Sequence, residues 1–156
     1  MIHWLIQVAV SVGILSTAVV FGTDAFFLTV GRAALKRASA SASTEVMGFF
    51  HLFADTRMPI WGVLAITANI LMAIVSGSGD RWYYATSILM LLLFVAFYTR
   101  FSKPINRIQI AAAQQGTRLS NFRELQASWD RLLLIRVPLL AVSLMAQCLA
   151  CQSRPV

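Results

Sequence analysis

An all-α bundle of four transmembrane helices is the fold this sequence predicts, and three observations predict it. The 156-residue chain is 58% hydrophobic and only 12% charged, above the apolar share and below half the charge of an ordinary soluble domain. Four apolar runs, at about 4–30, 58–75, 83–101 and 132–150, are each long enough to cross a hydrocarbon layer that takes about 20 residues per helix. Lipid also leaves every backbone polar group to be satisfied internally, which favours helices over strands. The runs use up the chain, so one integral-membrane domain over 1–156 is expected, with no separate soluble domain.

Taken in order, the first run, "WLIQVAVSVGILSTAVVFG", has almost no basic n-region and no small-residue cleavage site, and it continues into more apolar sequence. It reads as a span rather than a removed signal. The connection after it holds a small-residue loop, "ASASAST", then Val46, Phe49, Phe50 and Phe53 at the i, i+3, i+4, i+7 spacing of one helix face. That spacing predicts an interfacial helix in this first long connection, with His51 and Asp55, four residues apart, on a different face. Pro59 then falls in the first turn of the second span, where a missing N–H costs nothing. "SGSGDR" from Ser76 is a tight turn, so the second and third spans should form an antiparallel hairpin. In the last connection Asn121 followed by Glu124 resembles a helix N-cap, so the fourth helix should begin well before its apolar part. Pro138 should kink that helix.

The formal charge is +7, but the Lys and Arg residues sit in short segments between apolar runs, which points to headgroups and topology rather than to nucleic acid. Arg32, Lys36, Arg37, Arg57, Arg100, Lys103, Arg107, Arg118, Arg123 and Arg131 fall on the side of the long connections; Arg81 and Arg154 fall on the other. The positive-inside rule then places both long connections in the cytoplasm and both termini outside, with a bacterial inner membrane as the expected location. Trp4, Trp82, Tyr83 and Tyr84 read as an aromatic belt on the outer side.

Ionisable groups inside a span cost a few kcal/mol, so each needs a partner or a purpose. Asp24 lies within the first run and Arg136 within "LLLIRVPLL". Trp129 and Arg136, seven residues apart, share a face of the last helix. Topology brings Asn106, His51, Asp55 and Arg57 to the same membrane level. Asp24, His51, Asp55, Arg57, Asn106, Trp129 and Arg136 are therefore the candidate site. Plainer readings stand beside this one. Asp24 and Arg136 could simply neutralise each other and fix helix register. His51 and Asp55 could be the wet face of an interfacial helix. Arg57 could be a topology anchor or a cation stacked on Trp61, and Asn69 a polar link between helices.

"CLAC", Cys148 to Cys151, has the spacing of a redox or metal pair but closes a helix at its C-terminal end, where the dipole does not lower a thiol pKa. It reads as two small apolar residues, with an outward-facing disulfide as the alternative. His3 and His51 fall on opposite sides of the membrane by this topology, so no metal site is predicted. No phosphate loop, nucleophile elbow or HExxH is present, and no cofactor is predicted.

"FYTRFSKPIN" closing the third span, "LQASWDRLLLIRVPLLAVSLMA" with its W-x6-R opening the fourth, and the four-run layout resemble the small four-helix bacterial and fungal membrane proteins grouped with the anthrone oxygenases. The resemblance touches Pro104, Asn106, Trp129 and Arg136, and leaves His51, Asp55 and Asp24 to the membrane argument alone. It implies the fold first and, from the fungal members, oxidation of a polyketide anthrone to an anthraquinone with oxygen. On that expectation a lipophilic phenol or quinone-like molecule enters from the bilayer, His51 oriented by Asp55 takes its proton, and Arg136 and Asn106 stabilise the oxyanion. Two other expectations are a small proton-coupled transporter using Asp24, in an oligomeric unit of this chain, and a non-enzymatic bundle that binds lipid or a partner membrane protein.

Overall fold

Helix propagation stops at three places in the sequence, and those stops set the architecture. The computed structural model describes residues 2–153. Helix α1 (Ile2–Phe26) passes through a π-helical turn (Phe27–Gly31) into α2 (Arg32–Arg37). Helix α3 (Ala40–Val75) follows, then α4 (Ser78–Phe97), which passes through a second π turn (Tyr98–Ser102) into α5 (Lys103–Gln114), and finally α6 (Phe122–Gln152). Four rods result, 31 to 37 residues long, each long and apolar enough to cross a membrane. The described residues contain no strand, and the chain is an all-α membrane protein with a four-helix bundle fold.

Each stop has a local cause. Ala38 and Ser39 are extended, and the Ser39 hydroxyl caps α3 by accepting from the Ala42 N–H at 3.2 Å. Ser76 and Gly77 are extended between α3 and α4, which makes the antiparallel hairpin expected from "SGSGDR". Gly116, at φ 63°, turns the chain between α5 and α6 in a conformation that favours glycine. The π turn ahead of α5 also has a cause: Pro104 has no N–H and its ring crowds the carbonyl four residues back, so the helix widens there instead of breaking.

The rods pack as a ring in which α1 touches α3 and α6, and α4 touches α3 and α6; α5 lies along α3. Gly48 permits the last contact. A Cβ there would sit 2.3 Å from the Ala113 Cβ and 2.4 Å from the Gln109 carbonyl oxygen, so the two helices meet nearly backbone to backbone. Away from α5, the bundle interior is closed by Val20, Ala65, Leu91 and Leu140 and by a polar knot. Gln147 Nε2 donates to Thr17 Oγ1 at 2.9 Å and to Ser87 Oγ at 3.0 Å, while the Ser87 and Ser143 hydroxyls bond at 2.8 Å. In lipid such bonds hold helices together where apolar packing alone cannot choose a register.

Several expectations change. There is no separate interfacial helix, because Val46, Phe49, Phe50 and Phe53 continue without a break into the second span as one α3 of 36 residues. At about 1.5 Å per residue α3 is about 54 Å long, against a hydrocarbon core of about 30 Å. The "ASASAST" segment is helical after Ser39, with Ser43 and Thr44 buried, since small residues let α3 begin against its neighbours. Pro59 lies inside α3 rather than in a first turn. Helix α6 does begin early, at Phe122, but the Asn121 side chain makes no capping bond. Tyr84 is buried, unlike exposed Trp4, Trp82 and Tyr83, so it belongs to the core with Met72 and Ala150 and not to an outer belt. Asn69 donates to the Ala65 carbonyl of its own helix at 2.7 Å, so this bond does not link helices. Arg154 lies outside the described residues.

Candidate functional site

The predicted polar residues converge at the end of the ring where α5 joins it. Six of the seven, Asp24, His51, Asp55, Asn106, Trp129 and Arg136, line one cavity of about 350 Å³. Arg57 does not; it is exposed and stacks over Phe53 with 5.2 Å to the ring centroid, not over Trp61. Its long stem carries the charge away from the bundle axis, as expected of an anchor near a membrane boundary.

Two sets of bonds build the wall. Arg136 Nη2 donates to Asp24 Oδ1 at 2.6 Å and Nη1 to Ser102 Oγ at 3.2 Å, and both members of the ion pair are about 5% exposed. Phe94, Tyr98 and Trp129 surround the same guanidinium, each ring centroid within 5.5 Å. A delocalised, weakly hydrated guanidinium loses less hydration on entering such a cage than a lysine ammonium would. In the second set the Tyr98 hydroxyl donates to Asp55 Oδ1, Asn106 Nδ2 donates to the same oxygen at 2.9 Å, and Trp129 Nε1 donates to Asn106 Oδ1 at 3.1 Å.

These commitments revise the expected roles. Asp55 Oδ1 is engaged by Tyr98 and Asn106, and no hydrogen bond joins Asp55 to His51 among the described residues. Asn106 has its amide bound on both sides, and both terminal nitrogens of Arg136 are taken, because a buried polar group left unpaired is costly and the fold pairs each with its nearest neighbour. His51 is buried with its ring 5.2 Å from Trp129, pointing into the bundle, while Val46, Phe49 and Phe53 are exposed and Phe50, about half exposed, borders the cavity. The wet-face reading of His51 is thereby corrected.

Most of the rest of the wall is apolar. Val20, Ile66, Val63 and Phe94 line it, with Phe27 packed edge-on to both Phe50 and Trp129 at 5.6 and 5.5 Å. Its more exposed members include Pro59 and Val63 on α3, Val95 at the end of α4 and Thr99 in the π turn after it, so the cavity opens sideways between α3 and α4. Gly62 on the same wall has nothing within 4 Å of where a Cβ would be, which leaves space.

Sequence reasoning missed Tyr98, Ser102 and Gln109. Ser102, Asn106 and Gln109 are all buried, at the i, i+4, i+7 spacing of one polar stripe along α5, and that periodicity was the available signal. The fold and cavity together define an integral membrane protein with an internal pocket open at its side. Comparison with protein-family models, curated proteins and solved structures gives no match to this chain.

Proposed function

We propose that this protein takes a lipophilic phenol or quinone-like molecule from the bilayer through the gap between α3 and α4 and oxidises it as an oxygenase. The observation that carries this reading is the side-opening apolar cavity with one buried histidine in its wall. A pocket of a few hundred Å³, mostly apolar with a few convergent polar groups, is the usual form of a small-molecule site. The resemblance to the anthrone oxygenases supports the same substrate class. The long basic segments support a cytoplasmic position for this end of the bundle, and a bacterial inner membrane fits that charge pattern.

On this reading His51 removes a proton from a carbon acidified by an adjoining aromatic ring system. The carbanion adds oxygen to give a hydroperoxide, which regains a proton from His51. Loss of the second hydrogen from that carbon as a proton breaks the O–O bond and releases water, so a CH₂ becomes C=O while one O₂ is reduced by four electrons. The charge of Arg136, and of Lys103 on the same wall, balances the anion.

Purified wild-type protein should carry an extractable aromatic lipophile detectable by mass spectrometry, and should consume one oxygen per anthrone oxidised. His51→Gln should lose turnover by about 100-fold or more while keeping its melting temperature. Full turnover in that variant would exclude the base role.

A second reading, binding without turnover, is favoured by the mutual pairing of Asp55, Tyr98, Asn106 and Trp129. It predicts the same co-purifying molecule with no oxygen uptake. Transport gains less support: Asp24 is held by Arg136, and the polar knot around Gln147 fills the bundle beyond the cavity.

A further inference from the structure

A row of three hydrogen-bonded polar side chains crosses from α6 to α5 and ends beside His51 of α3. Gln126 Nε2 donates to Asp130 Oδ1 at 2.9 Å, and Gln109 Nε2 donates to Gln126 Oε1 at 3.4 Å. Gln109 Oε1 and His51 Nε2 are both fully buried, and neither has a hydrogen-bond partner among the described residues; the two side chains are neighbours. Gln109 is held there by the close approach of α5 to Gly48, one helical turn from His51.

The polarity of the row follows from its first member. A carboxylate only accepts, so Gln126 turns its NH₂ to Asp130 and its carbonyl to Gln109. Gln109 must then commit its NH₂ to Gln126 and face His51 with its carbonyl. Only an N–H can meet that oxygen; the other tautomer would set two lone pairs against each other where no water reaches.

We infer that Gln109 is a positioning residue that holds His51 as its Nε2–H tautomer, leaving Nδ1 as the bare nitrogen that accepts the substrate's proton. Nε2 has no accessible surface, so the ring contributes to the cavity wall through its other atoms. This rests on the reading of His51 as the base, and it gives Gln109 the orienting part that the sequence suggested for Asp55.

Nitrogen-15 NMR of the full chain in lipid nanodiscs, labelled on the histidine rings, reads the tautomer directly, with His51→Gln separating its signals from those of His3. The expected spectrum has a pyrrole-type Nε2 and a pyridine-type Nδ1 for His51. Gln109→Leu should abolish that preference. Gln126→Leu, which frees the Gln109 amide to turn over, should weaken it. In turnover, Gln109→Leu should lower kcat with KM little changed. A wild-type His51 protonated on Nδ1, or on both nitrogens, overturns the inference, and that spectrum needs no variant to fold. The two readings fail separately. The Nε2–H tautomer in a protein that neither binds nor oxidises an aromatic lipophile removes the function and keeps the positioning; an active protein with the opposite tautomer does the reverse.

Discussion

Arg136→Met should destabilise the folded protein by about 3–5 kcal/mol, the range for removing one partner of a buried ion pair. The variant leaves Asp24 as a carboxylate about 5% exposed, with Oδ2 already lacking a hydrogen-bond partner. Asp24→Asn should cost less, because Arg136 keeps Ser102 and its cage of Phe94, Tyr98 and Trp129. The double variant Asp24→Leu with Arg136→Met should recover much of the loss, since replacing both charges with apolar groups removes the desolvation penalty together with the attraction. Thermal unfolding in detergent of the two single variants and the double measures this coupling. Strict additivity would mean that the pair contributes no interaction energy.

Gly48→Ala is the second large effect. A methyl group there would lie 2.3 Å from the Ala113 Cβ and 2.4 Å from the Gln109 carbonyl oxygen, and neither is the end of a flexible side chain. Helices α3 and α5 must separate, at a cost toward the upper end of the about 1–3 kcal/mol typical of overpacking. The same shift would pull Gln109 away from His51, so turnover should fall further than stability alone explains. Gly62→Ala is the matched control on the same helix. With nothing within 4 Å of its Cβ, it should be neutral or more stable by up to about 1 kcal/mol, the usual gain for alanine over glycine inside a helix. Equal melting temperatures for the two variants would contradict the backbone contact at Gly48.

Much of the site could be read from the sequence because membrane burial makes polar residues conspicuous. Asp24 and Arg136 stood out against apolar neighbours, and the structure pairs them at 2.6 Å. His51, Asp55 and Asn106, placed by topology at one level, line one cavity together with Trp129, whereas Arg57, placed with them, does not. Partner choice was not legible in the same way. Asp55 lies one helical turn from His51 yet bonds to Tyr98 and Asn106, residues more than forty positions away in the chain. Gln109 looked like an ordinary polar residue of a connecting segment, and only the approach of α5 to Gly48 brings it to the histidine.

The opening of α3 shows the same division in its secondary structure. Its phenylalanine spacing correctly indicated a helix, but the periodicity of a face does not say whether that helix lies along a membrane or continues through it. Continuity was decided by packing, with Met47 and His51 buried against α6 residues such as Phe122 and Trp129 while Phe49 and Phe53 are exposed.

By itself, then, the sequence determined an all-helical membrane protein with four spans and the set of polar residues within them, because apolar length and the cost of isolated charge in lipid are properties of local composition. The tertiary structure alone decided which of those residues bond to one another, where the cavity opens and that Gln109 comes beside His51. Those outcomes depend on distances between helices, set by contacts such as Gly48 against α5 that join residues far apart in the chain.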